Sequence, residues 1–108
     1  MKKIDIKTIK NYCSKRKIQW TNHTISKLLQ RNISQLDVEI ALNEGEIIEH
    51  YANDYPFPSC LVKGFTSNMS CLHIVLAVND EKLWIITAYS PSLDQWESDF
   101  KTRRSVKE

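Results

Sequence analysis

Apolar residues in the first half of the chain recur at the spacing of a helix. Residues 3–14 repeat them three and four positions apart, with lysines on the other sides, which predicts a short amphipathic helix. A second helix is predicted to begin at Thr21 or Asn22, either of which can cap it, and to run to about Arg31. Residues 34–45 repeat the pattern and predict a third helix.

The third predicted helix carries its own start and stop signals. Ser34 opens it, and Asp37 stands three residues later, where the acid of a capping box belongs. Gly45 follows the last apolar position, and a glycine there is typical of a helix C-terminus.

The second half of the chain alternates with the shorter period of strands. The turn signals are two prolines within residues 52–58, Ser67-Asn68, and residues 79–82. The predicted strands are residues 46–51, 59–66, 71–78 and 83–89. Residues 92–99, around Trp96, are expected to form a final helical turn or two.

This order of elements predicts the fold class. Short turns between strands favour antiparallel pairing. Helices followed by strands favour an α+β fold, with the N-terminal helices packed on one face of a roughly four-stranded antiparallel sheet. No repeat or linker interrupts the pattern, so residues 1–108 are read as one domain.

Charge and cysteine usage narrow the class of protein. The formal net charge is +2, and seven of the first seventeen residues are Lys or Arg, a balance that permits contact with nucleic acid. Three cysteines without a C-x-x-C pair predict neither a disulfide framework nor a zinc site. The N-terminus lacks the apolar stretch of a signal peptide, and no apolar run is long enough to span a membrane, so a cytoplasmic location without membrane contact is expected.

The second helix carries a polar stripe. His23, Lys27 and Arg31 recur every four residues, opposite the apolar positions of that helix. Such a stripe is commonly a solvated helix face. The functional alternative is a surface for phosphate, since His changes charge near neutral pH and Arg forms a two-pronged contact with phosphate.

His73 is the second candidate, within an otherwise apolar strand. Alternation puts it on the face opposite Leu72 and Ile74, which should face the helices. A histidine in such a strand is often a hydrogen-bonded core residue, and the alternative is a site on the less apolar face. Thr87 and Tyr89 share a face, and a two- or four-residue loop would pair His73 with Ala88, whereas a three-residue loop would pair it with Thr87.

Several enzyme classes lack their motifs in this chain. There is no Gly-rich phosphate loop, no H-E-x-x-H and no G-x-S-x-G. The remaining set of His, Arg, Lys, Tyr and Thr suits RNA cleavage without a metal or other cofactor. In that reaction the 2′-OH is the nucleophile, and the protein supplies a proton acceptor, a proton donor and cations.

Six stretches of the chain, in order, resemble a known family over roughly residues 15–104. They are W-T-N-H-T-I-S-K-L-L-Q-R-N-I-S, G-E-I-I-E-H-Y, Y-P-F-P-S-C-L-V, L-H-I-V-L-A, I-T-A-Y-S-P and W-E-S-D-F-K-T-R-R. The family comprises small prokaryotic proteins of unknown function that are grouped with RelE-like toxins and, more widely, with the barnase–EndoU–colicin–RelE ribonucleases. Its members are often encoded beside a YgiT-type zinc-finger antitoxin.

The resemblance implies a RelE-like fold and a set of recurring polar positions. These positions are His23, Arg31, His73, Thr87, Tyr89, Arg103 and Arg104, which largely coincide with the candidates above. The family often has Gly after the Arg of the second helix, where this chain has Asn32, a residue that tolerates left-handed geometry.

The expected function is therefore the toxin of a type II toxin–antitoxin system, a metal-independent endoribonuclease acting on mRNA, free or at the ribosome. The expected catalytic residues are His23 and His73 as acid and base, Tyr89 to stack on a base or donate a proton, and Thr87 to orient a neighbour. The expected substrate-binding residues are Lys27, Arg31, Arg103 and Arg104. The alternative is a non-enzymatic RNA- or protein-binding module that uses the same basic surface.

Overall fold

The computed structural model describes residues 4–54 and 56–104. The helices and four of the strands lie where the sequence predicts them, within a few residues at their ends. The helices are α1 (Ile6–Ser14), α2 (Asn22–Gln30) and α3 (Gln35–Asn43); the strands are β1 (Ile18–Trp20), β2 (Glu46–Tyr51), β3 (Ser59–Phe65), β4 (Cys71–Asn79) and β5 (Lys82–Tyr89).

Over the described residues the sheet has five strands rather than four, in the order β1-β5-β4-β3-β2. The additional strand is β1, which lies between α1 and α2 and pairs in parallel with residues 83–85 of β5. The expectation of a purely antiparallel sheet is therefore wrong, and the α+β class is confirmed. Three residues are too few to show alternation, and their partner strand lies at the far end of the chain, so no local pattern indicates the pairing.

The core lies between the helices and one face of the sheet. Leu72, Ile74 and Leu76 of β4 are buried in one cluster with Ile9 of α1 and Leu28 of α2. This confirms the predicted inner face of that strand. We call the opposite face, which carries His73, the open face.

A two-residue turn and a β-bulge set the register of β4 and β5. Asp80 and Glu81 both have positive φ, at 54° and 58°, as a tight hairpin turn requires. Ile86 is an extra residue on β5 between the pairs Val75↔Thr87 and Leu76↔Ile85, and beyond it His73 pairs with Tyr89. Both registers expected from loop length alone are therefore wrong, because neither includes the bulge.

The C-terminal segment folds back over the open face. Ser92 accepts hydrogen bonds from the backbone N–H groups of Gln95 and Trp96, which makes one turn and no helix. Trp96 forms an antiparallel bridge with Arg103 and is 1% exposed. The segment of residues 92–104, hereafter the C-terminal segment, thus covers part of the sheet.

Both glycines of the chain are explained by close packing rather than by left-handed geometry. The helix α3 ends at Asn43 with Glu44 as its cap, directly before Gly45 as the sequence predicts, and neither glycine has positive φ. A Cβ on Gly64 would lie 2.1 Å from the carbonyl oxygen of Ala41, whereas a Cβ on Gly45 would lie 2.7 Å from a methyl of Val62 and 2.9 Å from that same carbonyl oxygen.

The substitution Gly64→Ala is expected to lower the free energy of unfolding by about 3 kcal/mol or more, because α3 must move away from β3. Gly45→Ala should cost less, about 1–2 kcal/mol, since its Cβ would overlap the backbone of Ala41 by much less than a Cβ on Gly64 would. Urea unfolding monitored by tryptophan fluorescence measures both. Equal costs for the two variants would contradict the close approach at Gly64.

Candidate functional site on the open face

The edge of β5 is bonded to the strand β1 at its start and to the helix α2 beyond it. Since β1 pairs only with residues 83–85, the carbonyl groups that follow lack a strand partner on this edge. The hydroxyl of Thr24 in α2 donates to the carbonyls of Ile85 and Ile86, at 3.0 and 3.1 Å. Arg31 donates from Nη1 to the carbonyl of Ala88 at 2.9 Å. The helix α2 is thereby held along the edge of the sheet.

The same Arg31 nitrogen reaches the open face. It donates to Oγ1 of Thr87 at 2.9 Å. A guanidinium carries five N–H donors, so the two contacts at Nη1 leave donors for a ligand. Two expected site residues are thus in direct contact.

His23 and Lys27 continue this stripe towards the start of α2. At about 100° per residue, Lys27 lies about 100° and His23 about 140° around the helix from Leu28, which is in the core. Of the stripe, Arg31 is the residue that contacts the open face, at Thr87. His23 is exposed and Lys27 is half-buried, and within the described residues neither forms an ion pair.

His73 lies beneath the C-terminal segment and is 0% exposed. Its Nε2 is 2.7 Å from the carbonyl oxygen of Phe100, and its ring packs edge-on against Trp96 with centroids 4.5 Å apart. Because a carbonyl only accepts, Nε2 carries the proton and Nδ1 is the free acceptor of the neutral ring. Burial lowers the pKa of His73 below 6.5, more than its hydrogen bond to Phe100 and the nearby Glu49 raise it.

Tyr89 lies beside His73 on the open face, as its cross-strand partner. Its hydroxyl is 3.4 Å from Nδ1 of His73, and the side chain is half-buried. Burial raises the pKa of Tyr89 above 10.0, so the hydroxyl stays protonated at neutral pH and donates towards Nδ1. The hydrogen bond is long, which leaves the hydroxyl available to a second partner.

A second polar cluster lies on β2 and was missed by sequence reasoning. Arg103 contacts Glu49 with two nitrogens, at 2.7 and 3.0 Å, and its guanidinium stacks 4.6 Å from the Trp96 ring. Tyr51 donates its hydroxyl to the same carboxylate. Arg103 lowers the pKa of Glu49, while burial, helped by the Glu49 contact, raises the pKa of Tyr51 to about 12. The sequence signal for this cluster is that Glu49 and Tyr51 stand two positions apart in a predicted strand, where side chains share one face of the sheet.

Arg103 and Arg104 hold the C-terminal segment in place through ion pairs. The charge of Arg103 is matched by Glu49, while Arg104 faces Glu97 at 3.3 Å and also donates to the carbonyl of Leu93. In this conformation both guanidinium groups are paired with carboxylates, and the expected role of Arg103 and Arg104 in binding phosphate stays a prediction. The partner of Arg103, Glu49, is distant in sequence, and the partner of Arg104, Glu97, lies in the same irregular segment. Neither pairing can be predicted from the basic residues of the tail alone.

The structure brings some expected site residues together and separates others. Arg31 contacts Thr87, and His73 contacts Tyr89, all around the bulged half of β5. His23 precedes Arg31 by eight residues, or about 12 Å along the helix axis. His73 lies on the open face beside Tyr89, and within the described residues no hydrogen bond or ion pair joins His23 to His73.

The fold and site define an α+β protein with a polar, partly covered sheet face flanked by a cationic helix edge. Among the described residues, no three or more His, Cys, Asp or Glu side chains are grouped to hold a metal ion. None of the described helices has the length and apolar character to cross a membrane.

The comparisons place the chain in a family. A family model described as Domain of unknown function (DUF4258) matches residues 20–90, well over half of the chain, and the chain belongs to that family. The matched residues include α2, the four longer strands, and the positions of His23, His73 and Tyr89. No curated protein and no solved structure matches the chain.

Lowering the pH from 7 to 5 is expected to lower the free energy of unfolding, mainly through His73. Because burial depresses its folded-state pKa below 6.5, the unfolded chain takes up the proton first as the pH falls through that value. The uptake of one proton by the unfolded chain changes the free energy of unfolding by at most about 1.4 kcal/mol per pH unit. Urea titrations at pH 7, 6 and 5 measure the slope, which His73→Gln should flatten.

The matched control is His50→Gln, at an exposed histidine of β2, which should keep the wild-type slope. The depressed pKa of Glu49 adds a loss only below its ordinary value of 4.5, outside this window. An unchanged slope in His73→Gln would contradict the assignment.

Proposed function

We propose that this protein is a metal-independent endoribonuclease that cleaves mRNA by attack of a ribose 2′-OH. The observation that carries the proposal is the contact of Arg31 with Thr87, which brings a guanidinium from the cationic helix edge to the sheet face that also carries the Tyr89 hydroxyl. The proposal is also supported by the resemblance to RelE-like ribonucleases noted from the sequence.

The phosphate would lie over Lys27, Arg31 and Thr87. The Nη1 contacts of Arg31 fix the plane of its guanidinium, so the remaining N–H groups are oriented before a ligand arrives. Preoriented donors stabilise the charge that develops on a pentacoordinate phosphorus. Lys27 lies one helical turn away and adds a second cation.

Tyr89 is the proposed general acid. Its raised pKa keeps the proton on the oxygen until a leaving group takes it. His73 is buried and acts as a positioning residue, since its neutral Nδ1 accepts from the Tyr89 hydroxyl and holds it at the edge of the open face. This revises the expected roles of the two histidines.

His23 is the proposed general base. It takes the proton from the 2′-OH as the bond from the 2′ oxygen to phosphorus forms. The bond from phosphorus to the 5′ oxygen breaks, and that oxygen takes the proton of Tyr89, leaving a 2′,3′-cyclic phosphate. In-line displacement needs acid and base on opposite sides of the phosphorus, so a phosphate held by Lys27 and Arg31 would have to lie between His23 and Tyr89.

A toxin role, with a cognate antitoxin of zinc-finger type as its partner, is supported by the sequence resemblance. Expression in a bacterial host is then expected to arrest growth, because mRNA is degraded. Co-expression of the neighbouring small open reading frame should restore growth, and His23→Ala should remove the arrest. Normal growth on expression of the folded wild-type protein would contradict the toxin role.

A non-enzymatic RNA- or protein-binding module is the second candidate function. The burial of His73 favours it, because Nε2 is occupied by the Phe100 carbonyl and the Tyr89 contact is long. Such a module would use the same cations to contact the phosphate backbone.

Cleavage of RNA in the presence of EDTA tests the enzyme proposal. His23→Ala and Tyr89→Phe are each expected to slow cleavage by about a hundredfold or more, the usual contribution of a proton-transfer group. Gel electrophoresis of labelled RNA, with and without ribosomes, measures the rate, and end-group analysis should find cyclic phosphate.

His50→Ala removes another exposed histidine, outside the proposed site, and should leave the rate unchanged. Thermal unfolding of each variant shows whether a loss of activity is a loss of fold. Full activity in both His23→Ala and Tyr89→Phe would overturn these roles. RNA binding without cleavage under every condition would assign the protein to the binding module.

A further inference from the structure

An apolar pocket of about 410 Å³ opens on the open face beside the proposed phosphate site. Its walls combine the loop before β3 with β4 and β5. Two aromatic rings line it, Phe57 and Trp84, together with Ala77 and Ile86, and the polar lining groups are Asp54 and Asn79. Nothing in the proposed cleavage step uses this pocket.

The pocket and the phosphate site are neighbours on β5. Ile86 is the bulge residue, and Thr87, the partner of Arg31, follows it directly. Trp84 pairs with Ala77, two residues along β4 from Val75, which pairs with Thr87. Two residues of strand span about 6.7 Å, close to the distance over which one nucleotide carries its base away from its phosphate.

The aromatic side chains suit a flat ligand. Phe57 is 41% exposed and Ile86 is 46% exposed, so both offer apolar surface to the solvent. Trp84 is half-buried, and its Nε1 donates to the backbone carbonyl of Asn79 at 3.4 Å, which fixes the ring. Stacking on such rings contributes about 1–3 kcal/mol per base.

The charges around the pocket distinguish a base from a phosphate. Asp54 supplies a carboxylate at the pocket and is oriented by the Ser59 hydroxyl, which donates to its Oδ2. A phosphate would be repelled there, whereas the cations of α2 lie on the other side of β5. A purely apolar protein segment would desolvate the Asp54 carboxylate and offer no donor to it beyond the Ser59 hydroxyl.

We propose that this pocket is a subsite for the guanine base of an RNA nucleotide, an inference that rests on the proposed action on RNA. A carboxylate accepts two hydrogen bonds side by side. Guanine alone among the four bases presents two adjacent donors, N1–H and the exocyclic amine, with no acceptor between them. Adenine and cytosine place a ring acceptor beside the amine, and uracil flanks its one N–H with two carbonyls. The ring stacks between Phe57 and Trp84, and the phosphate reaches Lys27 and Arg31.

Isothermal titration calorimetry of the full chain with the four nucleoside 3′-monophosphates tests the subsite. Guanosine monophosphate is expected to bind at least about tenfold more tightly than the other three, the difference made by one charge-assisted hydrogen bond. Asp54→Asn should remove this preference, and Phe57→Ala should weaken all four nucleotides alike. Asp94→Asn, at an exposed aspartate of the C-terminal segment, should bind as the wild type does.

Equal binding of the four nucleotides, or a preference for guanine that survives in Asp54→Asn, would overturn the inference. A dimer that Phe57→Ala dissociates, without nucleotide binding, would assign the pocket to a second copy of the chain and also overturn it. The two proposals fail separately. Cleavage without base preference removes the subsite and keeps the enzyme, whereas selective guanine binding without cleavage keeps the subsite and removes the enzyme.

Discussion

The arrangement of the open face depends on how the edge of β5 satisfies its backbone carbonyls. A strand edge that ends against a helix leaves polar groups that need donors, and α2 supplies them through Thr24 and Arg31. These contacts fix both the position and the rotation of the helix. Because Leu28 must at the same time enter the core, His23 and Lys27 are turned away from the core, by about 140° and 100° around the helix.

The half of the open face that lies beneath the C-terminal segment is held together by buried side chains rather than by contacts to the strand edge. His73 has no exposed surface, yet it is fully hydrogen-bonded, so its burial costs little while the ring stays neutral. The pair of Arg103 with Glu49, stacked on Trp96, holds the segment that covers it. The arginine is itself partly exposed, and pairs of this kind usually contribute about 0–1 kcal/mol. The buried tryptophan therefore stabilises this closure more than the charges do.

Sequence reasoning predicted what local periodicity can encode. The three helices, the four longer strands and the inner face of β4 all follow from spacing and caps. It missed β1, which is three residues long and pairs with a distant strand, and it missed the bulge at Ile86. It found Arg31, Thr87, His73 and Tyr89 as candidates but could not find their contacts. Glu49 was missed because its partner Arg103 lies at the other end of the chain.

The bulge at Ile86 links the two proposed parts of the site. Without the extra residue, the two-residue turn at Asp80 and Glu81 would pair His73 with Ala88 and point Thr87 and Tyr89 into the core. With it, Tyr89 faces His73, Thr87 faces Arg31, and the Ile86 side chain is displaced into the neighbouring pocket. One inserted residue thus sets both the polar contacts and the apolar wall beside them, which explains why a cleavage centre and a base subsite would share this stretch of β5.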